Sequence, residues 1–269
     1  MNYESIEYEQ LGHVARIWHN RPQVSNAQDE SLLIELEHAI DRTAQDPEVR
    51  VVIIAGRGKH FSAGHDVKEG MANRNHYTTE QRYAWEAKHY YGLSLKIWDH
   101  PKPTIAQVQG ACIAGGFMTA NVCDMIMAAD SAFFSEPVIH SMGITSVEVL
   151  MHPWVMNHRK AKEFLLTGMR MSAAEALQVG MVNQVVPAAE LEEQTLALAR
   201  RIAEAPPFAA RMLKRSVNRT LEIQGLRGAL QAHFDTHELT HTSRESWELV
   251  NGGGEAGMLA KGKAQGSTG

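Results

Sequence analysis

Three ionisable residues within one short segment could carry proton transfer: Glu136, His140 and Glu148. Glu148 precedes the apolar run Val149-Leu150-Met151, and a carboxyl group among apolar neighbours has a raised pKa that suits a general acid or base. The imidazole of His140 titrates near neutrality, which also suits a general base. We rank Glu148 first, His140 second and Glu136 third. Each has a structural alternative: a carboxylate paired with a local base or helix end, a surface or core histidine, or a solvent-facing glutamate.

The conformation of residues 136–140 decides whether His140 can join Glu148. If this segment is extended, the side chains of Glu136, Val138 and His140 lie on the same side of the strand. We therefore predict that His140 approaches the reaction site from an extended segment.

A second pattern, His237-Glu238-Leu239-Thr240-His241, matches the zinc metallopeptidase motif H-E-x-x-H. On a helix its two histidines share one face, and the glutamate could activate a water. The motif needs a third ligand, and downstream there are only Glu245, Glu248 and Glu255, with no further histidine. A chain with 14 histidines readily produces such short matches. We predict an interface helix and no metal site; a zinc peptidase is the alternative that stoichiometric zinc would support.

Two glycine-bearing stretches, residues 60–68 and 109–117, each follow a run typical of a buried strand and each open into a predicted helix. Such a turn lets a backbone N–H point into a cleft at the positive end of a helix. Two such turns side by side would form a site for a developing oxyanion.

Strand–turn–helix units followed by a helical C-terminal third must position these groups. The sequence predicts strands in a hairpin at 6–18 and at 49–55, 104–108, 124–128, 132–135 and 182–186. It predicts helices at 30–44, 80–98, 155–166, 190–203, 207–221 and 226–241. Residues 69–79 are polar without periodicity and predict a mobile loop. Ser172 and Glu175 have the spacing of a capping box.

The composition narrows the function class. The chain has 269 residues, 44% of them hydrophobic, which suits one α/β domain with a small appendage. Its net charge of -5 predicts no nucleic-acid partner. The sequence contains no membrane-spanning apolar run, and the acidic start predicts no signal peptide. Cys112 and Cys123 lack metal-site spacing and predict reduced, buried thiols, which suits the cytoplasm.

An ordered set of short segments resembles the crotonase, or enoyl-CoA hydratase/isomerase, superfamily. Together these segments span about residues 5 to 220 in collinear order. They are Asn20-Arg21-Pro22 with Asn26-Ala27, Val51 to Gly56, Phe61 to Asp66, Gln109-Gly110 through Gly115-Gly116, Cys123-Asp124, Leu166-Thr167-Gly168, and Ala173 through Pro187.

The resemblance implies an α/β fold, a spiral of ββα units with a helical C-terminal region, assembled as a homotrimer or a dimer of trimers. It implies an acyl-CoA substrate, no metal, and no cofactor other than the coenzyme A of that substrate. It assigns the oxyanion hole to the backbone N–H groups of His65 and Gly115. The His65 side chain is then either a bystander on the pocket wall or a polar group that faces the substrate.

The resemblance also implies a set of residues along the substrate and its coenzyme A arm. They are Arg21, Ala63, Asp66, Lys68, Gly116, Met118 and Val138. Two of them have structural alternatives: Asp66 can cap the helix that follows it, and Arg21 can be a solvated arginine.

The sequence departs from the family pattern where hydratases carry two glutamates. Those positions hold Met118 and Val138, which can neither move a proton nor hold a water. Ordinary hydration by paired glutamates is therefore not expected. Relatives with other reactions carry an acidic residue near Glu148, which is the expected base, with His140 second. The reaction stays open between isomerisation, hydration and C–C hydrolysis, and a non-catalytic binder of CoA thioesters is the alternative.

The predicted domain limits are a spiral core at 1–200, a helical region at 201–251 that serves as lid or trimer contact, and a flexible tail at 252–269. The segment 69–79 and the C-terminal helices are expected to shape the acyl pocket.

Overall fold

A six-stranded sheet forms the centre of the molecule, and the computed structural model describes residues 1–252. Its strand order is β1-β2-β3-β4-β6-β9, where β1 is Ile6–Leu11, β2 Val14–His19, β3 Val51–Gly56, β4 Thr104–Val108, β6 Met125–Ala129 and β9 Gln184–Val186. β1 and β2 form the predicted hairpin, and every other pairing in this sheet is parallel. Every residue of β3 is buried, as expected for a central strand whose two faces are covered.

A second sheet of three short strands lies beside the first. It has the order β5-β7-β8, with β5 at Ala111–Ile113, β7 at Phe133–Ser135 and β8 at Met171–Ser172. Along the chain, a strand of the large sheet is followed by a strand of the small sheet and then by a helix. This order occurs in β4, β5 and α5 (Gly115–Asn121) and again in β6, β7 and α6 (Val138–Ser141). This repetition is the spiral of ββα units that the sequence predicts.

Helices cover the sheets and form the C-terminal third. The others are α1 Glu30–Gln45, α2 Val67–Arg74, α3 Thr79–Glu86, α4 Leu93–Trp98, α7 His152–Val155, α8 His158–Thr167, α9 Ala173–Gln178, α10 Leu191–Ala203, α11 Pro207–Ile223, α12 Leu226–His241 and α13 Arg244–Gly252. The predicted limit at residue 200 falls inside α10, which packs on the large sheet. The predicted tail, apart from its first residue, lies outside the described residues.

One local prediction around the site is wrong, and another is refined. Residues 69–79 are not a loop, because most of this segment belongs to α2. The Asp66 side chain caps that helix by accepting from the Glu69 N–H, and a Glu69–Arg74 ion pair supports its last turn. The predicted helix at 80–98 is present as one continuous run, in which α3 and α4 are joined by a π-helical turn, Ala87–Gly92, that the sequence did not predict.

No helix within residues 1–252 is long and apolar enough to span a membrane.

Candidate active site

The two glycine-bearing turns lie against each other because the first pairs with a strand of the second. Ser62 N–H donates to the Ala111 carbonyl at 3.1 Å, and Ile113 N–H donates to the Ser62 carbonyl at 3.0 Å. The Ser62 hydroxyl donates to the Asn26 carbonyl and accepts from the Gly64 N–H, which fixes the shape of the first turn. This pairing holds the residues after both turns in one place.

Glycine is required where the turns touch. Gly64 has φ +93°, and a Cβ on it would lie 2.8 Å from the Ile113 carbonyl oxygen and 3.1 Å from the Gly115 nitrogen. A Cβ on Gly115 would lie 2.5 Å from both Gln28 Oε1 and His65 Cδ2. Within residues 1–252, no hydrogen bond uses the main-chain N–H of His65 or of Gly115. Two unused donors therefore stand at adjoining turns.

Ala114, between β5 and α5, has φ +47° and ψ −112°, a region that non-glycine residues rarely occupy. Its backbone is held on both sides, because its N–H donates to the Ser135 carbonyl and its carbonyl accepts from the Met118 N–H. Such backbone strain typically costs about 1–3 kcal/mol and persists only where surrounding contacts enforce it. Here it turns the chain sharply before Gly115.

A cavity of about 420 Å³ opens beside His65, walled by α2, α3, the π-helical turn, the segment 138–148 and the last two helices. It is lined by His65, Asp66, Val67, Gly70, Met71, Arg74, Asn75, Tyr77, Arg82, Trp85, Glu86, Tyr90, Val138, Met142, Ile144, Ser146, Val147, Glu148, His237, His241, Ser246, Trp247 and Val250. The cavity has the size of a pocket for one small organic group.

The side chains of Glu148 and His65 lie next to each other on the wall of this cavity. Glu148 is 1% exposed, and its Oε2 lies 3.5 Å from His65 Nε2. Among the described residues neither of these two atoms has a hydrogen-bond partner, and the His65 ring stacks on Tyr90 with centroids 3.7 Å apart. Glu148, the first-ranked candidate from the sequence, and the His65 side chain both line the cavity.

The surroundings disfavour the charged form of both members of this pair. Burial, reinforced by the charge of Glu86, raises the pKa of Glu148 well above its usual value, although a backbone hydrogen bond opposes the shift. Burial lowers the pKa of His65 to about 3, although the Glu86 charge acts in the opposite direction. A carboxyl group with a raised pKa is a stronger base in its ionised form, and it can return the proton that it takes.

The π-helical turn after α3 lies beside this pair and orients the side chains around it. It begins directly after Glu86, Glu86 and Tyr90 both line the cavity, and Trp85 stacks on the buried His89. Single π turns inside helices occur frequently at functional sites. The aromatic residues in this region are visible in the sequence, but the change of helical period that orients them is not.

The His237 and His241 side chains meet Glu86 in the same cavity. His237 Nε2 lies 3.2 Å from Glu86 Oε2 and 3.2 Å from His241 Nε2. Burial alone would raise the pKa of Glu86, but the hydrogen bond from His237 and the charges of both histidines lower it to about 2. Glu238, which the peptidase motif would use to activate a water, does not line the cavity. The peptidase interpretation therefore loses its general base.

His140 lies away from this site. Residues 138–141 form the short helix α6, so the predicted extended segment is wrong; Pro137 starts the helix and its carbonyl accepts from the His140 N–H. The His140 side chain is exposed, with Nε2 2.9 Å from the Leu166 carbonyl oxygen. Glu136 is 1% exposed, so its structural alternative, a solvent-facing glutamate, is wrong; it does not line the cavity either.

Arg21 and Asp66 are held by each other at the rim of the first turn. Arg21 Nη1 lies 3.0 Å from Asp66 Oδ2, and Arg21 Nη2 lies 3.1 Å from Asp29 Oδ2. Arg21 also donates to the Ala27 carbonyl. Both side chains therefore support the turn, and Asp66 takes the helix-capping role that was its predicted alternative.

The remaining predicted contact residues divide between the cavity and its supports. Val138 lines the cavity, and Lys68 is exposed on the first turn of α2. Ala63 is half-buried in the first turn, and Gly116 packs against Ser62. Met118 is 2% exposed and packs in the core under α5.

Sequence reasoning missed Glu86, Tyr90 and Trp85 as cavity residues. Arg74 belongs to the segment 69–79, which was expected to shape the acyl pocket, although no role was predicted for this residue itself. His237 and His241 did carry a signal, their four-residue spacing, but the third member of that cluster lies about 150 positions upstream.

Comparison with known proteins gives consistent matches along nearly the whole chain. The family model described as "Enoyl-CoA hydratase/isomerase" matches residues 9–255. A relative named putative enoyl-CoA hydratase EchA13, from Mycobacterium tuberculosis, is 38% identical over 93% of this chain and 84% of its own length.

Solved structures of similar proteins match the fold as well. One is a probable enoyl-CoA hydratase from Mycobacterium smegmatis, 46% identical, with a TM-score of 0.84 over 90% of this chain and 95% of that one. Another is an enoyl-CoA hydratase/isomerase from Xanthobacter autotrophicus Py2, 35% identical, with a TM-score of 0.91 over 98% of this chain and 99% of that one.

Proposed function

The chain belongs to the enoyl-CoA hydratase/isomerase family of enzymes and has the crotonase fold, and from this premise we propose that it moves a proton on the acyl group of a coenzyme A thioester. The observation that carries the proposal is the juxtaposition of the two unused N–H groups at adjoining turns with the buried Glu148–His65 pair. The two N–H groups would activate a carbonyl group, and the Glu148–His65 pair would exchange a proton.

The thioester oxygen would accept hydrogen bonds from the backbone N–H groups of His65 and Gly115. Removal of a proton from the acyl chain turns the thioester into an enolate, and negative charge builds on that oxygen. Donors fixed in advance stabilise this charge, and one such donor contributes about 3–4 kcal/mol in comparable sites. The coenzyme A arm is proposed to leave past the first turn, beside Ala63, Lys68 and Gly116.

Glu148 is the proposed base. It faces the cavity, it has no hydrogen-bond partner at Oε2 within the described residues, and burial raises its pKa well above the usual value. The unshared Nε2 of His65, at 3.5 Å, is placed to share the proton that Glu148 takes. His140 has no part in this step, since its side chain lies outside the cavity.

We propose that the reaction is not hydration by two glutamates. The family positions for those glutamates correspond to Met118, which is packed in the core, and Val138, which presents an apolar surface to the cavity. A single base suffices for isomerisation of a double bond. The proposed chemistry needs no cofactor beyond the coenzyme A portion of the substrate.

Hydrogen–deuterium exchange tests this proposal without knowledge of the natural substrate. The protein is incubated in D₂O with a panel of saturated, enoyl- and 3-oxoacyl-CoA thioesters, and each acyl chain is analysed by mass. Proton transfer predicts enzyme-dependent gain of deuterium at the α-carbon of at least one member. Tight binding of several thioesters with no exchange and no turnover would instead establish a non-catalytic binder.

We also propose a homotrimer or a dimer of trimers in the cytoplasm. Helix α11 exposes Phe208, Leu213, Val217 and Ile223, a set of large apolar side chains that a partner subunit would cover. Cys112 and Cys123 are free, buried thiols, as expected in a reducing compartment. Light scattering coupled to gel filtration tests the assembly, and Leu213→Glu is expected to shift it toward monomer.

A further inference from the structure

We propose that Glu86, His237 and His241 form a binding site for one divalent transition-metal ion, with zinc as the ion to test. The three side chains converge in the cavity, although they come from α3 and from α12, far apart in sequence. Two imidazoles and one carboxylate are a ligand set that proteins use for zinc. The inference concerns binding and does not depend on the proposed proton transfer.

The spacing of the donor atoms suits a small ion. Glu86 Oε2, His237 Nε2 and His241 Nε2 are separated by 3.2, 3.2 and 3.9 Å. Ligands of a tetrahedral zinc ion with bonds of about 2.1 Å lie roughly 3.4 Å apart. A point about 2.0 Å from all three donor atoms exists within this triangle. The donors therefore need no large movement to coordinate one ion.

A hydrogen bond at Nδ1 of His237 leaves the other ring nitrogen, Nε2, available for metal coordination. Its Nδ1 lies 2.7 Å from the Ser146 carbonyl oxygen, which can only accept, so Nδ1 carries a proton. In the neutral ring the lone pair is then on Nε2, the atom that faces Glu86 and His241. Metal-bound histidines almost always donate their other ring N–H in this way. His237 is 1% exposed, so its orientation is fixed by packing.

His233, one turn earlier on α12, gives a comparison within the same helix. Its Nε2 lies 2.8 Å from the Val147 carbonyl oxygen, and it does not line the cavity. It therefore lies on the same helix as His237, is only partly buried, and lacks the converging partners. It is a matched control for the proposed ligands.

Arg82 opposes metal binding and so provides a test. Arg82 Nη1 lies 2.8 Å from His241 Nδ1 and can only donate, so this nitrogen accepts. A neutral His241 that coordinates through Nε2 must instead carry a proton on Nδ1. The ion must therefore displace Arg82, whose positive charge also repels it. Removing the guanidinium should strengthen metal binding.

A bound ion would keep open coordination positions toward the cavity, since its three ligands occupy the wall. It could hold a water or a polar atom of the acyl group there. This differs from the expectation of a metal-free chain, which rested on the lack of a third ligand downstream of the H-E-x-x-H motif.

Metal titration of the full-length, tag-free protein tests the site. The protein is stripped with a chelator, dialysed, and titrated with ZnCl₂ by calorimetry and with CoCl₂ by visible absorption. We expect one equivalent to bind, with the absorption bands of low-coordinate cobalt and a higher melting temperature. A wild type that binds neither ion would overturn the proposal.

Four variants locate the ion. His241→Ala and Glu86→Gln are expected to weaken zinc binding at least about 100-fold, because even outer-shell partners contribute about 10–100-fold. His233→Ala is expected to bind as the wild type does, and Arg82→Leu several-fold more tightly. Circular dichroism and melting of each metal-free variant confirm folding. One equivalent that persists unchanged in both His241→Ala and Glu86→Gln would place the ion elsewhere and refute the site.

Discussion

Replacing Glu148 by glutamine separates a catalytic base from a buried structural carboxyl. The substitution keeps shape and volume but removes the group that accepts a proton. General-base catalysis typically contributes about 100- to 10,000-fold, or roughly 3–5 kcal/mol of barrier. We therefore expect the rate of α-deuteration in D₂O to fall by that factor in Glu148→Gln, whichever thioester of the panel exchanges fastest.

The same variant should be more stable at alkaline pH. The pKa of Glu148 is raised in the folded state, mainly by burial, so the folded protein binds this proton more tightly than the unfolded chain does. The wild type therefore loses stability as pH rises from the unfolded pKa to the folded one, by about 1.4 kcal/mol per pKa unit of difference. Glu148→Gln has no such loss, and its advantage in melting temperature should grow from pH 5 to pH 8.

Glu136→Gln is the matched control. Glu136 is equally buried, and burial together with the charge of Glu148 raises its pKa in the same direction, but it does not line the cavity. It should gain stability at alkaline pH as Glu148→Gln does and keep the deuteration rate. Wild-type exchange in Glu148→Gln would refute the assignment of the base. Equal losses of exchange rate in both variants would show that exchange depends on the charge of a buried carboxyl group and not on its position in the cavity.

Three further predictions concern the turns and their supports. Gly115→Ala should lower the exchange rate about 100- to 1,000-fold, because its Cβ would collide with Gln28 and His65 and displace one oxyanion donor; Gly228→Ala, in open space on α12, should leave the rate unchanged. Asp66→Ala should lower the free energy of unfolding by about 1–2 kcal/mol in urea titration, since it removes the cap of α2 and the Arg21 ion pair. Ser172→Ala should cost about 1 kcal/mol by the same measurement, through loss of the capping box of α9, and no loss would show that tertiary packing alone holds this helix.

Local signals were sufficient for most elements of the fold. The hairpin around Gly12, the doubly buried strand β3 and the cap at Ser172 follow from alternation, apolar runs and side-chain capping, each of which acts within about ten residues. The segments that were misread lack such signals. Helix α2 has little apolar periodicity. The Asp66 cap and the Glu69–Arg74 ion pair stabilise it instead.

For the site, the sequence determined the two glycine-bearing turns, the ranking of Glu148 above His140 and Glu136, and the four-residue spacing of His237 and His241. Glycine requirements and helical spacing are properties of the local backbone, so they can be read from neighbours in the chain. Only the tertiary structure decided that His140 is turned away by α6, that His65 faces Glu148, and that Glu86 completes the pair of histidines. Those outcomes depend on where separate elements pack, and distances between side chains about 150 residues apart are set by the whole fold.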